Sequence, residues 1–163
     1  MLTLNRFIIT LLAIGLLSAC GWQLRGQVSL PPALRILTVS FESVGYDSQN
    51  AIKQALLRNG VTIAADAEHS LIIHSDQASK RTLAVTSSAK ASEYELKQTL
   101  TFSLKTSEGA VVIDKAKVET YQTLLYDAEA EIGKALEEEN LRKDMKNSNA
   151  YKLLLRIKGL AQS

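Results

Sequence analysis

The sequence predicts a two-layer α+β sandwich, in which two helices pack on one face of a roughly four-stranded mixed or antiparallel sheet. Three observations carry this. In EYELKQTLTFSLKT, residues 93–106, Tyr94, Leu96, Leu100, Phe102 and Leu104 alternate with Glu95, Lys97, Thr99, Thr101, Ser103 and Lys105. A period of two over that length marks a strand with one buried and one wet face, and only Gln98 breaks the apolar side. From about Ala128 to Leu160 the apolar residues instead recur at steps of three and four, the period of a helix with one buried stripe. Finally, the order strand, helix, two or three strands, long helix lets both helices cover the same face of a sheet.

The chain begins with Arg6 and then a nearly unbroken apolar run from Phe7 to Leu17. A positive segment followed by a short apolar one has the form of a secretory signal. The run is shorter than the roughly 20 apolar residues a spanning helix needs. Leu17-Ser18-Ala19-Cys20 closes it and resembles the bacterial lipobox, where the signal is cut before a cysteine that then carries lipid. Cys20 is the only cysteine. The boundaries read as a signal peptide over 1–19, a lipidated tether over 20–33 ending in Pro31-Pro32, and one domain over 34–163. Gly21, not Asp, follows the cysteine, and resemblance to sorted lipoproteins makes that an outer-membrane signal. One acyl chain holds a protein only marginally, so stable anchoring through Cys20 implies several. With no second cysteine, no intramolecular disulfide forms even in an oxidising periplasm, and the core alone must hold the fold.

Within the domain, Leu34 to Phe41 (LRILTVSF) has the apolar, β-branched content of a buried strand. YDSQNAIKQALLRNG then reads as a helix. Asp47 or Ser48 can cap it, Ile52, Ala55 and Leu56 share a face, and Asn59-Gly60 supplies a left-handed stop. Leu71–Ile73 and Arg81–Thr86 read as strand, either two strands or one with a polar middle. After the alternating strand, Ser107-Glu108-Gly109 is a turn, and Ala110 to Leu125 returns as a strand. Its apolar parity changes between Ile113 and Ala116, which predicts a bulge near Asp114. In the last helix Ile132 and Leu136 share a face, as do Leu141 and Met145, followed by Ala150, Leu153, Leu154 and Ile157. Ser148-Asn149 can divide it in two.

Removing residues 1–19 drops one cation of 19 and leaves 18 against 17 acids. So small a net charge identifies no partner, but its distribution is uneven. Asp127, Glu129, Glu131 and Glu137–Glu139 precede Arg142, Lys143, Lys146, Lys152, Arg156 and Lys158, the order a helix dipole favours. Between residues 80 and 117, Lys80, Arg81, Lys90, Lys97, Lys105, Lys115 and Lys117 face only Glu93, Glu95, Glu108 and Asp114. A basic wet sheet face suits phosphate groups. For an exported lipoprotein that anion is phosphorylated lipid rather than nucleic acid.

Catalytic and metal motifs are lacking. His69 and His74 are five apart, on opposite faces of a strand, and make poor co-ligands. Ser87-Ser88 lacks the glycines of a nucleophile elbow. There is no phosphate-binding glycine loop. The sequence reads as a binding or structural protein without cofactor, not an enzyme.

Cys20-Gly21-Trp22-Gln23-Leu24-Arg25-Gly26 resembles the start of the LPS-assembly lipoprotein family LptE. AIKQALLRNGV resembles that family's first helix and ASEYELKQTLTFSL its central strand with a Glu-Tyr pair. The resemblance implies two helices on a four-stranded sheet. It implies a partner, the large outer-membrane β-barrel LptD, which the lipoprotein enters as a plug, and lipopolysaccharide binding through basic residues. Lys134 matches one such position. A second falls several residues before Glu93-Tyr94, where this chain has Ser87 and Ser88, with Lys90 nearer and Arg81 further off. From the residues alone, Lys134 can equally pair with Glu131 or Glu138. A lipoprotein that binds or carries lipid without a barrel is the alternative, and a deep apolar cavity would mark it.

Overall fold

The computed structural model describes residues 28–87, 90–125 and 131–160. The expected signal peptide and Cys20 lie outside them, as does Ser88. After a 3-10 turn over Pro32–Leu34 come β1 (Ile36–Ser43), α1 (Tyr46–Arg58), β2 (Thr62–Ile63), β3 (His69–Val85), β4 (Ala91–Thr106), β5 (Val111–Leu125) and α2 (Glu131–Leu160). The sheet runs β2-β1-β3-β4-β5. β1 is parallel to β2 and β3, and the other neighbours are antiparallel. Parallel pairing needs a crossover, which α1 supplies. The sheet therefore has five strands, not four. The extra one is a two-residue edge strand, too short to leave a periodic signature.

α1 begins differently from the sequence expectation. Its N-cap is Gly45 in extended conformation, without a side-chain cap. Ser48 sits inside the helix and is 4% exposed, because its hydroxyl donates to the Asp76 carboxylate on β3. Asp47 reaches instead to Lys146 on α2, at 3.1 Å. The other end is as expected. Asn59 is the C-cap, and Gly60 takes φ +75°, where a side chain would be strained.

β3 is one strand through its polar middle. It carries a bulge at His74, since Ile73 faces Phe102 while Ser75 faces Thr101. In β4 the even positions from Leu96 to Leu104 are all buried and the helices lie on that side. The expected bulge in β5 is present. Phe102 pairs with Ala116 and Leu104 with Ile113, so Asp114 and Lys115 share the place opposite Ser103. Lys115 has φ +42° and its N–H donates to the Ser103 hydroxyl at 2.9 Å. Ser103, expected on the wet face, is only 1% exposed because His74 and this bulge close over it.

α2 is a single helix through Ser148-Asn149. Asn149 disfavours a helix interior because its side chain competes for backbone groups. Here the carboxamide is occupied by the sheet: it donates to the Gln98 carbonyl at 3.0 Å and accepts from the Thr120 hydroxyl at 2.8 Å. Leu136, expected on the buried face, is 60% exposed. Packing on α2 starts at Leu141 and Met145.

The core has two parts. The larger joins Leu37, Ile52, Leu56, Leu71, Ile73, Leu100, Phe102, Leu104, Leu153, Leu154 and Ile157 with others, and it takes in Val28, Leu30 and Leu34. Packing thus reaches back into the segment expected to be tether. The smaller holds Leu96, Leu124 and Met145, with Tyr94 and Leu141 against it. Each fully buried aliphatic or aromatic side chain contributes about 1.5–3 kcal/mol. A buried polar seam lies between the two parts. Gln98 donates to Asp76 at 2.7 Å, and Asn149 ties Gln98 to Thr120. That seam is why Gln98 interrupts the apolar side of β4.

Candidate functional site

The register places two ends of the molecule far apart. At one end Leu37 pairs with His69, which pairs with Thr106, and the Val28 N–H donates to Asn59 at 2.6 Å. The chain therefore enters the domain there. At the other end β1 stops at Ser43 beside Ser75. The β3–β4 hairpin continues from Asp76 to Val85, about 30 Å at 3.3 Å per residue. Its tip is closed by Thr86, whose N–H donates to the Lys90 carbonyl at 2.7 Å, while the Lys90 N–H donates to the Thr86 hydroxyl at 3.2 Å.

α2 runs along this arm. Asn149 lies over Gln98, and Lys134 is fifteen residues nearer the helix start. That distance is about 22 Å along a helix and about seven residues along β4. It brings Lys134 level with the hairpin tip and Lys90. Lys134 is held by Glu137 at 2.8 Å, an i,i+3 partner that is neither of the two expected from spacing. The Lys90 ammonium makes no ion pair among the described residues, and the residue is exposed.

Arg81 is not with them. It lies on the sheet face away from the helices and forks onto Glu95 at 2.7 and 3.2 Å, lowering the Glu95 carboxyl below its ordinary range. The same face pairs Lys97 with Glu119 at 2.9 Å. Glu119 is pulled down to about 2, first by the hydrogen bond from Tyr121 and then by Lys97. The expected basic sheet face is therefore largely neutralised in its middle.

Lys80, read from the sequence as part of the basic wet sheet face, lies on the other side. Strand pairing puts it opposite Leu96, on the helix side. Its ammonium meets Glu138 at 2.6 Å and stands 4.2 Å from the Tyr94 ring centroid. Arg142 reaches the same carboxylate at 2.7 Å. Burial works to raise the Glu138 carboxyl, but Lys80 and Arg142 together outweigh it and hold the group below its ordinary range. Sequence parity pointed the other way, because Leu71 and Ile73 set the odd positions inward, and only the bulge at His74 turns Lys80 to the helix side. Lys80, Lys134 and Lys90 with Arg142 form a distal cationic end in which Glu137 and Glu138 are the only carboxylates bonded to them among the described residues.

One other cluster has the order of a hydrolase triad. The His74 ring nitrogens lie 2.9 Å from Glu42 Oε2 and 2.8 Å from Ser103 Oγ. A nucleophile must meet its substrate, and this hydroxyl is 1% exposed beneath the β5 bulge. Its oxygen already accepts the Lys115 N–H. The string locks four strands in register and is not built for acyl transfer. Among the described residues no group of His, Cys, Asp and Glu could hold a metal.

The described residues thus build a mixed sheet covered on one face by two helices, with a cationic far end. The family is shown by sequence: the chain belongs to the LptE family, described as lipopolysaccharide-assembly, which it matches over residues 33–157. Solved structures share the fold. Rare lipoprotein B from Shewanella oneidensis is 22% identical, with TM-score 0.67 over 78% of this chain and 96% of that one. Lipoprotein B from Nitrosomonas europaea is 21% identical, with TM-score 0.69 over 88% and 94%. A minor lipoprotein from Acinetobacter baumannii is 18% identical, with TM-score 0.67 over 79% and 94%. No curated protein sequence matches the chain.

Proposed function

We propose that this protein is an outer-membrane lipoprotein, anchored through Cys20 on the periplasmic side. There it plugs a large LptD-like β-barrel and binds lipopolysaccharide during insertion into the outer leaflet. Membership of the lipopolysaccharide-assembly family is the observation that carries the reading. The geometry supports it in two ways. The chain enters the domain at the end opposite the hairpin tip, so an anchored molecule would reach away from its lipid by the length of the sheet. The exposed sheet face carries paired charges and hydroxyls, which suit a polar barrel lumen.

Lipopolysaccharide carries phosphates, and Lys134 and Lys90 stand at the free end where such an anion can approach. The Lys134–Glu137 pair is exposed enough to be worth only about 0.3–0.5 kcal/mol, so its loss should scarcely change stability. Binding of lipopolysaccharide to the full chain should fall in Lys134→Asp and further in the double variant with Lys90→Asp, at unchanged melting temperature. The loss should shrink as salt rises, since screening weakens exposed charges. Unchanged affinity in the double variant would return both lysines to the solvated surface.

A further inference from the structure

Among the described residues β5 has a neighbour on one side only, β4, so it is a free edge of the sheet. Every second residue of such an edge turns its N–H and C=O away from the sheet. The opposite edge is blunted by the shortness of β2, whereas β5 runs from Val111 to Leu125. A bulge at Asp114 and the cations Lys115 and Lys117 guard its first half, a common protection of sheet edges. Its second half has no such guard. From Ala116 to Leu125 there is no bulge, no proline and no cation after Lys117, and Tyr121 and Leu125 are 49% and 63% exposed. That stretch is longer than the usual strand of about 5–6 residues.

Cations flank both faces of the edge. Lys117, Tyr121 and Leu125 share the open face by strand parity. On the other face α2 descends β5 toward lower numbers, since Met145 packs with Leu124 and Asn149 bonds Thr120. Lys152 Nζ meets the Glu119 carbonyl at 2.5 Å. Arg156 follows one turn on, about 6 Å or about two residues of strand, which sets it level with Lys117. Lys115, Lys117 and Arg156 make no ion pair and no side-chain hydrogen bond among the described residues. The nearby Glu119 carboxylate is taken by Lys97 at 2.9 Å and by the Tyr121 hydroxyl at 2.7 Å.

We propose that the β5 edge receives an extended acidic segment of another protein as an added strand. Only a peptide strand offers N–H and C=O groups in the alternation that the edge presents. A phosphate, which only accepts, would leave the edge carbonyls unpaired. Antiparallel pairing is the more stable. It sets the acidic residues toward the C-terminal end of the occupant, beside Lys117 and Arg156. Apolar residues nearer its N-terminus then lie along Tyr121 and Leu125. The surface is separate from the distal lysines.

The probe is a capped peptide matched in length to Ala116–Leu125, alternating Val and Thr in its first half and ending in a run of Asp and Glu. It is titrated calorimetrically into the full chain in mild detergent. The probe should bind, and hydrogen exchange should slow in β5 but not in β2. Lys117→Glu with Arg156→Glu should weaken binding by about tenfold or more, because reversal turns two attractions into repulsions. Lys117→Arg with Arg156→Lys should keep the affinity. Both positions are exposed, so melting temperatures should stay near native in every variant. A probe N-methylated at alternate residues should lose binding in one phase and keep it in the other, since only one set of its N–H groups faces β5. No binding, equal binding of the two N-methylated probes, or native affinity in the charge-reversed variant would overturn the proposal. Equal binding of a plain glutamate peptide would reduce the edge to a basic patch and overturn it as well. Self-association of the chain that is lost in Lys117→Glu, with no binding of the probe, would give the edge to a second copy instead.

Discussion

Replacing Asn149 by Ala should destabilise the domain by about 1–2 kcal/mol while α2 stays continuous. The side chain is 2% exposed and makes two hydrogen bonds to the sheet, to Gln98 and Thr120. A buried hydrogen bond contributes about 0.5–1.5 kcal/mol net, so two give about 1–3 kcal/mol. The Thr120 oxygen would keep its donor, Lys152 Nζ at 2.8 Å, but the hydroxyl proton would lose its acceptor. The Gln98 carbonyl would lose this donor. Against the loss stands a gain of up to about 0.7 kcal/mol, because Ala is the better helix former. The net of about 1–2 kcal/mol corresponds to a melting temperature lower by about 3–6 °C for a domain of this size. Urea unfolding and thermal melts of Asn149→Ala should be run beside Ser148→Ala, which should change stability by less than about 0.5 kcal/mol. Equal stability of Asn149→Ala and the native chain would refute the view that this residue's sheet contacts keep the helix whole. So would an equal cost at Ser148.

Phe102 is fully buried and Thr101 is not, so Phe102→Asp should abolish or severely weaken folding by placing an unpaired charge in the core, while Thr101→Asp melts near the native protein. Similar melts would mean that the two faces of β4 are wrongly assigned. Glu138 titrates below its ordinary range when folded. Its bridge to Lys80 and Arg142 therefore contributes stability above the unfolded carboxyl pKa and loses it as pH falls through the lowered folded value. Urea midpoints of Glu138→Gln should lie below native at pH 7 and converge with native as pH falls through the lowered folded value of Glu138. A gap that persists at the acid end would remove the charge from the explanation. Intact mass of membrane-extracted protein should lack residues 1–19 and carry added acyl mass on Cys20, and an unmodified thiol in that material would end the anchor argument.

The parts of the fold legible in sequence were those with a long, clean period. β4 announced itself through the alternation from Tyr94 to Lys105, broken only at Gln98, and α1 through its apolar face and Asn59-Gly60. The β5 bulge showed as a break in parity at Asp114, where a single extra residue turns every later side chain over. Other features depend on contacts between distant segments. Ser48 has the chemistry of a cap, but Asp76 on β3 takes its hydroxyl. Ser148-Asn149 has the composition of a helix break, but the sheet supplies partners for Asn149. β2 is two residues long and carries no pattern at all. For the candidate site, Lys134 and Lys90 came from the family resemblance, and their shared position at the hairpin tip follows only from the register of α2 on the sheet. Lys80 and Arg81 are adjacent in sequence yet lie on opposite faces. Only the strand pairing shows that Arg81 is occupied by Glu95 and that Lys80 belongs to the helix side.

The most direct test of the functional account is co-purification. The full chain, carrying an affinity tag at its C-terminus, would be extracted from membranes in mild detergent and captured under conditions that leave outer-membrane complexes intact. The account predicts one large β-barrel recovered with it at near-equal stoichiometry, together with bound lipopolysaccharide. Recovery of the lipoprotein alone, with lipid but no barrel, would contradict the account and favour a free-standing lipid-binding lipoprotein.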